Sequence, residues 1–327
     1  MSTISNMVVS PAPHIRDKLT TNRIMLDVII ALLPSLVVGV WVFGPRAALI
    51  TGVCVVSCIF FEWLFEIILK RKNTVNDLSA ALTGILLAYN LPVTIPIWQT
   101  VIGCFFAIIL VKQLFGGLGK NFANPAIAAR VFMFLAFPAA MTTWVSPFKF
   151  NSILVPKEEI LDTITGATPL VDLLHMFRGE VYTLPDKWSL FLGTHGGCFG
   201  ETSELALLIG GLYLLFRKVI TWHAPISFIG TVFILTTLAG GFDFGLFHIL
   251  TGGLFLGAIF MATDYVTTPF TNLGRIIFGI GCGLITVIIR LWGNYPEGVS
   301  FAILFMNMLV PFINNISFKK ALGGIYK

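Results

Sequence analysis

The stretch from Ala47 to Leu69 reads AALITGVCVVSCIFFEWLFEIIL and is the clearest indication of the fold. It exceeds the length of about 20 apolar residues that a helix needs to cross the hydrocarbon core of a bilayer. Its two acidic residues, Glu62 and Glu66, lie one helical turn apart. Because ionisable groups are costly inside a membrane, this span is also a candidate functional region.

Similar apolar runs recur along the 327-residue chain, of which 56% is hydrophobic and only 11% charged. Soluble domains carry about 25% charged residues, so the composition indicates an all-α, polytopic membrane helix bundle. We predict ten segments: Met25–Phe43, Ala47–Leu69, Leu78–Leu91, Ile95–Phe115, Asn124–Met141, Glu204–Phe216, Trp222–Ala239, Phe244–Ala262, Leu273–Leu291 and Gly298–Ile316. The net charge of +5 then reports membrane orientation and not nucleic-acid binding.

Basic residues indicate the orientation, because they cluster in the loops that would share one side of ten crossings. By the positive-inside rule that side is the cytoplasm. The predicted order is a cytoplasmic segment (residues 1–24), a first membrane repeat (25–141), an extracytoplasmic loop (142–203), a second membrane repeat (204–316) and a cytoplasmic tail (317–327).

The two membrane blocks resemble each other. Leu82-Thr83-Gly84 and Leu250-Thr251-Gly252 are followed by the related runs Val93-Thr94-Ile95-Pro96 and Val266-Thr267-Thr268-Pro269. Five crossings per block imply that the second enters from the opposite face. This arrangement is an inverted-topology repeat with short or interrupted helices, which is typical of transporters. Chance similarity between common membrane tripeptides is the alternative.

Several ionisable residues fall within or near these spans. Glu62 lies about 12 Å from its helix end at 1.5 Å per residue, and Asp264 closes the eighth segment. We predict both as candidate ion-coupling groups near Asn124 and the two Thr-Gly pairs, in the centre of the bundle. Simple close packing, with ions passing through a partner subunit, is the alternative. Glu66 can pair with Lys70, and a structural role for Glu62 or Arg130 also stays open.

The five cysteines, at positions 54, 58, 104, 198 and 282, contain no C-x-x-C spacing. Neither they nor the five histidines show the spacing of a metal site, so we predict no metal. Buried structural thiols are the favoured interpretation, although a ligand to a site shared with a partner is open.

The long polar stretch contains Thr165-Gly166-Ala167-Thr168, followed by Pro169. Two small residues between two hydroxyl residues leave Thr168 sterically open, Gly166 permits a tight turn, and Pro169 fixes the backbone after it. The motif suits a threonine that carries a bulky group, while an ordinary glycine turn is the alternative.

Further motifs run in order along the chain: Val9-Ser10-Pro11-Ala12-Pro13-His14-Ile15, Gly116-Gly117-Leu118-Gly119-Lys120-Asn121, Asn124-Pro125-Ala126, Gly200-Glu201-Thr202-Ser203, Met261-Ala262-Thr263-Asp264 and Tyr295-Pro296-Glu297-Gly298. Together with the Thr165–Thr168 motif, they resemble the D subunit of the Rnf complex, a membrane-bound ferredoxin:NAD+ oxidoreductase. The chain is similar, more distantly, to the B subunit of the Na+-translocating NADH:quinone reductase.

The resemblance implies a membrane subunit of a redox-driven Na+ or H+ pump that is not active alone. It implies FMN on Thr168 through a phosphoester, with Thr165, Gly166 and Ala167 completing the motif. The family usually has Ser where this chain has Thr165, which keeps the hydroxyl. A second, non-covalent flavin fits the same resemblance. The implied partners are the other Rnf subunits, including a second FMN-bearing subunit and iron–sulfur subunits, together with membrane lipid.

The implied location is a bacterial or archaeal cytoplasmic membrane. Two other functions stay open: a flavin-free inverted-repeat solute transporter or channel, and an assembly scaffold with a dispensable flavin site. Fold alone does not separate them, because unrelated functions share one architecture. The sequence identifies no catalytic residue and does not distinguish Na+ from H+.

Overall fold

The structure is a computed structural model that describes residues 20–71, 74–148, 168–181, 184–200, 203–293 and 297–318. The first half begins with two long helices, α1 (Thr21–Phe43) and α2 (Pro45–Ile68). A 3₁₀ turn at Val75–Asp77 leads into the short α3 (Ser79–Tyr89). Three further helices follow: α4 (Ile97–Phe105, continuing as a π-helix over Phe106–Gln113), α5 (Pro125–Ala136) and α6 (Pro138–Met141).

In the described part of the connection between the halves lie two short helices, α7 (Pro169–Arg178) and α8 (Lys187–Leu192). The predicted loop 142–203 is therefore partly helical. The second half contains α9 (Glu204–Phe216), α10 (His223–Gly240), α11 (Phe242–Ile249), α12 (Leu254–Leu256, continuing as a π-helix over Gly257–Met261), α13 (Asn272–Trp292) and α14 (Val299–Ser317).

Local chemistry explains where several helices begin and end. The Thr20 hydroxyl accepts the Arg23 N–H at the start of α1, and Asn124 Oδ1 accepts the N–H groups of Ala126 and Ile127 at the start of α5. Both are N-caps, which satisfy backbone donors that a helix start leaves open. Gly44 separates α1 from α2 with a φ of 79°, which glycine adopts without strain.

The all-α membrane fold is confirmed, and the predicted segments correspond to apolar helices. Among the described residues, five helices are long and apolar enough to cross a membrane: α1, α2, α10, α13 and α14. The pair α11 and α12, bent by 65°, makes a sixth if it is one span. The four remaining predicted segments are shorter apolar helices, namely α3, α4 with its π-helix, α5 and α9.

The interruption predicted at Thr251-Gly252 is confirmed, because these residues lie in the break between α11 and α12. The predicted segment Phe244–Ala262 therefore consists of a bent pair of helices. In contrast, Thr83 and Gly84 lie inside the unbroken α3. A Cβ on Gly84 would stand 2.8 Å from the backbone oxygen of Cys54, so this glycine serves close packing of α3 on α2.

Packing joins the two halves. Helix α1 packs against α9, and α5 packs against α14, so each half contributes to the other's core. Within the halves, α2 packs against α3 and α10 against α13. The domain boundaries and the pairing of the two halves as repeats stay predictions.

Candidate functional site

Thr168 lies immediately before α7, at the helix position where a hydroxyl normally accepts a backbone N–H. Its side chain makes no such capping bond. The residue is only 8% exposed, and its Oγ1 has no hydrogen-bond partner among the described residues. A buried hydroxyl without a partner is costly, so this atom marks a place where another group fits.

The Thr168 hydroxyl lies beside a small cavity of about 30 Å³, called here the Thr168 cavity. Its walls come from the connection between the two halves and from the second half. They include Trp144, Thr168, His195, Cys198, Gly252 and Glu297. The interrupted segment after α11 therefore reaches this cavity through Gly252 and does not line the central part of the bundle, where it was predicted to lie.

A buried ion pair forms one side of the Thr168 cavity. Arg130 on α5 pairs with Glu297, which precedes α14, and donates to the Asn90 side-chain oxygen. Cys198 lies 3.8 Å from the same guanidinium and donates to the Asn90 carbonyl. Arg130, whose structural role was left open, thus joins the two halves next to Thr168. Sequence reasoning missed Glu297 because it stands at a loop end with no local pattern.

These residues fit the phosphoester end of an attached FMN. The start of α7 has the positive end of a helix dipole, which favours a phosphate, although its first residue, Pro169, supplies no N–H. Gly252 has a φ of 73° and packs closely against α7 and α13. A Cβ at this position would lie 2.7 Å from the Leu170 side chain and 3.0 Å from Arg290 Nη2. A guanidinium therefore stands behind the cavity wall. The cavity volume suits the phosphate and not the flavin ring.

Thr165, Gly166 and Ala167, the other predicted members of this site, lie outside the described residues. Their predicted roles in holding FMN stay predictions.

A second cavity of about 80 Å³ lies where the two halves meet, and is called here the central cavity. Its polar wall contains Thr83, Lys112, Asn121, Asn124, Thr263 and Asp264. The structure thus brings together three of the residues expected in the centre, Thr83, Asn124 and Asp264. Both π-helices lead to this cavity, one through Lys112 and the other just before Thr263. Such π-segments are frequent at functional sites.

Glu62 does not line the central cavity but lies behind Lys112. Lys112 Nζ donates to Glu62 Oε1 (2.7 Å) and to Ser79 Oγ (2.6 Å), and Gln113 also donates to Glu62 Oε1 (2.7 Å). Glu62 and Lys112 are both buried. The neighbouring Glu66 accepts from the Thr74 backbone and hydroxyl, and not from Lys70 as predicted. Sequence reasoning missed Lys112 because its partner is fifty positions away.

Both carboxylate oxygens of Asp264 accept hydrogen bonds from residues that follow it in the chain. Its Oδ2 accepts from Thr267 Oγ1 (3.0 Å) and its Oδ1 from the Val266 N–H (3.4 Å). This arrangement is an Asx turn, which stabilises the chain reversal after the second π-helix. Asp264 therefore has a structural role whatever its part in ion movement.

All five cysteines are buried and free, as predicted. Within the described ranges, no group of three His, Cys, Asp or Glu side chains could hold a metal ion.

The fold and the two cavities define a class: a multi-pass helical membrane protein with a broken span and, among the described residues, a buried threonine hydroxyl that has no partner. Residues 8–323 match the model of the family described as NQR2, RnfD, RnfE, and the chain belongs to this family. The resemblance to the D-type component of the Rnf complex is thereby confirmed.

Named relatives agree over almost their whole length. The chain is 47% identical to the D subunit of the Na+-translocating ferredoxin:NAD+ oxidoreductase complex of Acetobacterium woodii, over 98% of this chain and 96% of the relative. It is 41% identical to the D subunit of the proton-translocating ferredoxin:NAD+ oxidoreductase complex of Clostridium ljungdahlii, over 94% of each. It is also 41% identical to the D subunit of an ion-translocating oxidoreductase complex of Stutzerimonas stutzeri, over 93% and 92%.

Proposed function

We propose that this chain is the D-type membrane subunit of an ion-translocating ferredoxin:NAD+ oxidoreductase complex. Full-length similarity to subunits with that name supports the proposal. Two of those names specify different ions, Na+ and H+, so the similarity leaves the coupling ion open. The subunit works within a complex, and its expected partners are a second FMN-bearing subunit and iron–sulfur subunits in a prokaryotic cytoplasmic membrane.

We further propose that Thr168 carries FMN through a phosphoester. The observation that carries this proposal is the buried Thr168 Oγ1, which has no hydrogen-bond partner among the described residues and lies beside a small cavity. When bound, the flavin would supply electron transfer between partner carriers. Thr168 would hold it at one end of the bundle, and a covalent bond prevents loss of the cofactor.

The residues around Thr168 would serve the phosphate and the shape of the site. The N-terminus of α7 favours the negative charge. The Arg130–Glu297 pair holds α5 against the segment before α14, which keeps the cavity wall in place.

The flavin attachment is tested by a denaturing gel of the assembled complex, viewed for flavin fluorescence before staining. We expect a fluorescent band at the mass of this chain and its complete loss in Thr168→Ala. Thr194→Ala is a matched control, because this threonine lies in the same connection and its hydroxyl already donates to the Ser189 carbonyl. Fluorescence that persists in Thr168→Ala rules out this attachment site.

The second, non-covalent flavin stays a prediction. It is tested by measuring the flavin released when the complex is denatured, per mole of this chain. The prediction is supported if the Thr168→Ala complex releases one more equivalent of flavin, per mole of this chain, than the other subunits account for.

The expected orientation places the connection between the halves outside the cytoplasm. A cysteine introduced at Lys157 should react with a membrane-impermeant thiol reagent in intact cells after the outer barrier is opened. Labelling only in inverted vesicles would reverse the orientation.

A flavin-free transporter or channel is the competing function, since broken helices and a central cavity suit both. The gel separates the two, because only a flavin carrier fluoresces after denaturation. A scaffold with a dispensable flavin site would show no fluorescence but would still be needed for assembly of the complex.

A further inference from the structure

A third cavity, called here the basic chamber, lies at the helix ends beside the central cavity. It has a volume of about 240 Å³, larger than the Thr168 cavity and the central cavity. Its walls come from the turn between α9 and α10 and from the segment that leads into α13. They include Lys218, Thr221, Tyr265, Thr268, Phe270 and Arg275.

The charge of the basic chamber is positive. Lys218 and Arg275 both line it, and no carboxylate does so among the described residues. Asp264, in the adjoining central cavity, has its oxygens engaged by Thr267 and Val266. The nearby Asp27 accepts from Arg217 and Tyr213. In the described part of the wall, the two cations therefore face no acidic side chain.

The two cations differ in how they are held. Arg275 Nε donates to the Pro269 carbonyl (3.1 Å), and its Nη1 donates to Thr221 Oγ1 (2.9 Å). These bonds fix the guanidinium plane and leave the second terminal nitrogen for a ligand. Lys218 is exposed and has a left-handed backbone with a φ of 57°. This conformation is costly for a residue with a side chain, and such strain occurs preferentially at functional positions.

Exposed aromatic rings surround the basic chamber at the depth where helices end. Tyr265 and Phe270 form part of its wall, and Trp222 lies next to it in the turn before α10. All three rings are exposed, and Tyr265 is anchored through its hydroxyl to the Val219 carbonyl. Aromatic belts of this kind mark the membrane–water interface, and basic residues at that level attract anionic headgroups.

We propose that the basic chamber binds the phosphate headgroup of an anionic membrane phospholipid. The Arg275 guanidinium and the Lys218 ammonium would contact the phosphate, the Thr221 hydroxyl, which accepts from Arg275, would donate to an ester oxygen, and the aromatic rings would pack along the start of the acyl chains. The Thr268 hydroxyl already donates to the Ala262 carbonyl. The chamber shares Val219, Ile220, Thr263 and Tyr265 with the central cavity. A lipid held here would therefore be part of the wall of that cavity. The proposal is independent of flavin attachment.

The test measures lipid binding to the assembled, delipidated complex by native mass spectrometry, with short-chain phosphatidylglycerol, phosphatidylcholine and inorganic phosphate as the probes. We expect phosphatidylglycerol to bind at least tenfold more tightly than phosphatidylcholine, and inorganic phosphate not to displace it. Equal binding of the two lipids would overturn the proposal. Displacement by phosphate at its own binding concentration would mean that the site serves a free anion, and would overturn the lipid assignment.

Substitutions assign the binding to this chamber. Lys218→Gln removes an exposed charge and should weaken phosphatidylglycerol binding about fivefold, as expected for one basic residue near a lipid surface. Lys218→Arg should restore it. Lys120→Gln is the matched control, because this exposed lysine follows the first π-helix and does not line the chamber. If Lys218→Gln and Lys120→Gln bind equally, the lipid lies elsewhere.

Arg275 needs a variant that separates charge from structure. Arg275→Gln loses both the charge and the bonds to Pro269 and Thr221, so the complex could fail to assemble. Arg275→Lys keeps the charge and should retain binding to within about twofold. Unchanged phosphatidylglycerol binding in both Lys218→Gln and an assembled Arg275→Gln complex would show that the chamber is structural and binds no headgroup.

Discussion

The Thr168 cavity and the central cavity differ in how their polar atoms are satisfied. In the central cavity, Lys112 is paired with Glu62, and Asp264 is engaged by its own turn. At the Thr168 cavity, a buried hydroxyl has no hydrogen-bond partner among the described residues. Charge alone therefore does not identify a site where a further chemical group binds. An unpartnered hydroxyl that lies beside a cavity is the more direct indication, because folding normally eliminates such atoms. Glu62 Oε2 is also unpartnered among the described residues, but it lies behind Lys112 and lines neither cavity.

The largest expected effect concerns the ion pair beside the central cavity. Lys112→Met leaves Glu62 buried without its cation and should lower the free energy of unfolding by about 3–5 kcal/mol. The measurement is unfolding of the purified subunit by SDS, followed by circular dichroism. Lys187→Met is the control, because Lys187 forms an exposed pair with Asp243 that contributes less than about 1 kcal/mol.

The double variant Lys112→Met, Glu62→Gln sharpens this comparison. It removes both charges and should recover much of the lost stability, because the cost arises from the unpaired carboxylate. If the single and double variants lose the same free energy of unfolding, the cost does not come from an unpaired Glu62 carboxylate.

The ion pair at the Thr168 cavity should have a smaller effect on stability. Arg130→Gln should lower the free energy of unfolding by about 1–3 kcal/mol, because Glu297 remains partly accessible to solvent. It should also reduce flavin fluorescence in the gel assay, while Lys112→Met should not. If both variants reduce fluorescence in proportion to lost stability, Arg130 has no special role at Thr168.

The close approach of α3 to α2 behind the central cavity is tested at Gly84. Gly84→Ala should cost about 1–3 kcal/mol, because the new methyl group would meet the backbone of Cys54 and Val55. Gly52→Ala on α2 is the control, since a Cβ there meets no atom within 4 Å. The control should be neutral or slightly stabilising, as expected for alanine in a helix. If Gly84→Ala and Gly52→Ala change the free energy of unfolding equally, close packing of α3 on α2 is not the reason for glycine at position 84.

The smallest expected change in stability is at Asp264. Asp264→Asn keeps a side-chain oxygen for the Asx turn and should cost less than about 1 kcal/mol. In the assembled complex we expect this variant, and separately Glu62→Gln, to lower ion pumping while electron transfer is retained. Wild-type rates of both processes in both variants would exclude these carboxylates from the coupling path.

Sequence by itself determined the features that depend on local length and pattern. Apolar runs are long enough to span a bilayer, so ten segments could be placed. The Thr-Gly pattern did not determine where a helix breaks, because it lies in a break at Thr251-Gly252 and in an unbroken helix at Thr83-Gly84. The Thr165–Thr168 motif pointed to Thr168 before any geometry was known. Residue size and turn chemistry made Thr168 a candidate, with an ordinary glycine turn as the alternative, and only the resemblance to the family motif implied FMN there.

Tertiary structure alone decided which distant groups meet. Glu62 meets Lys112 and Arg130 meets Glu297 because helices from separate parts of the chain pack together, and no periodicity encodes that pairing. For the same reason, Thr83 faces the central cavity while Gly252 faces the Thr168 cavity, although the two Thr-Gly pairs look alike in sequence. Burial, and with it the unpartnered state of the Thr168 hydroxyl among the described residues, exists only once the halves are packed, because it depends on every neighbour at once.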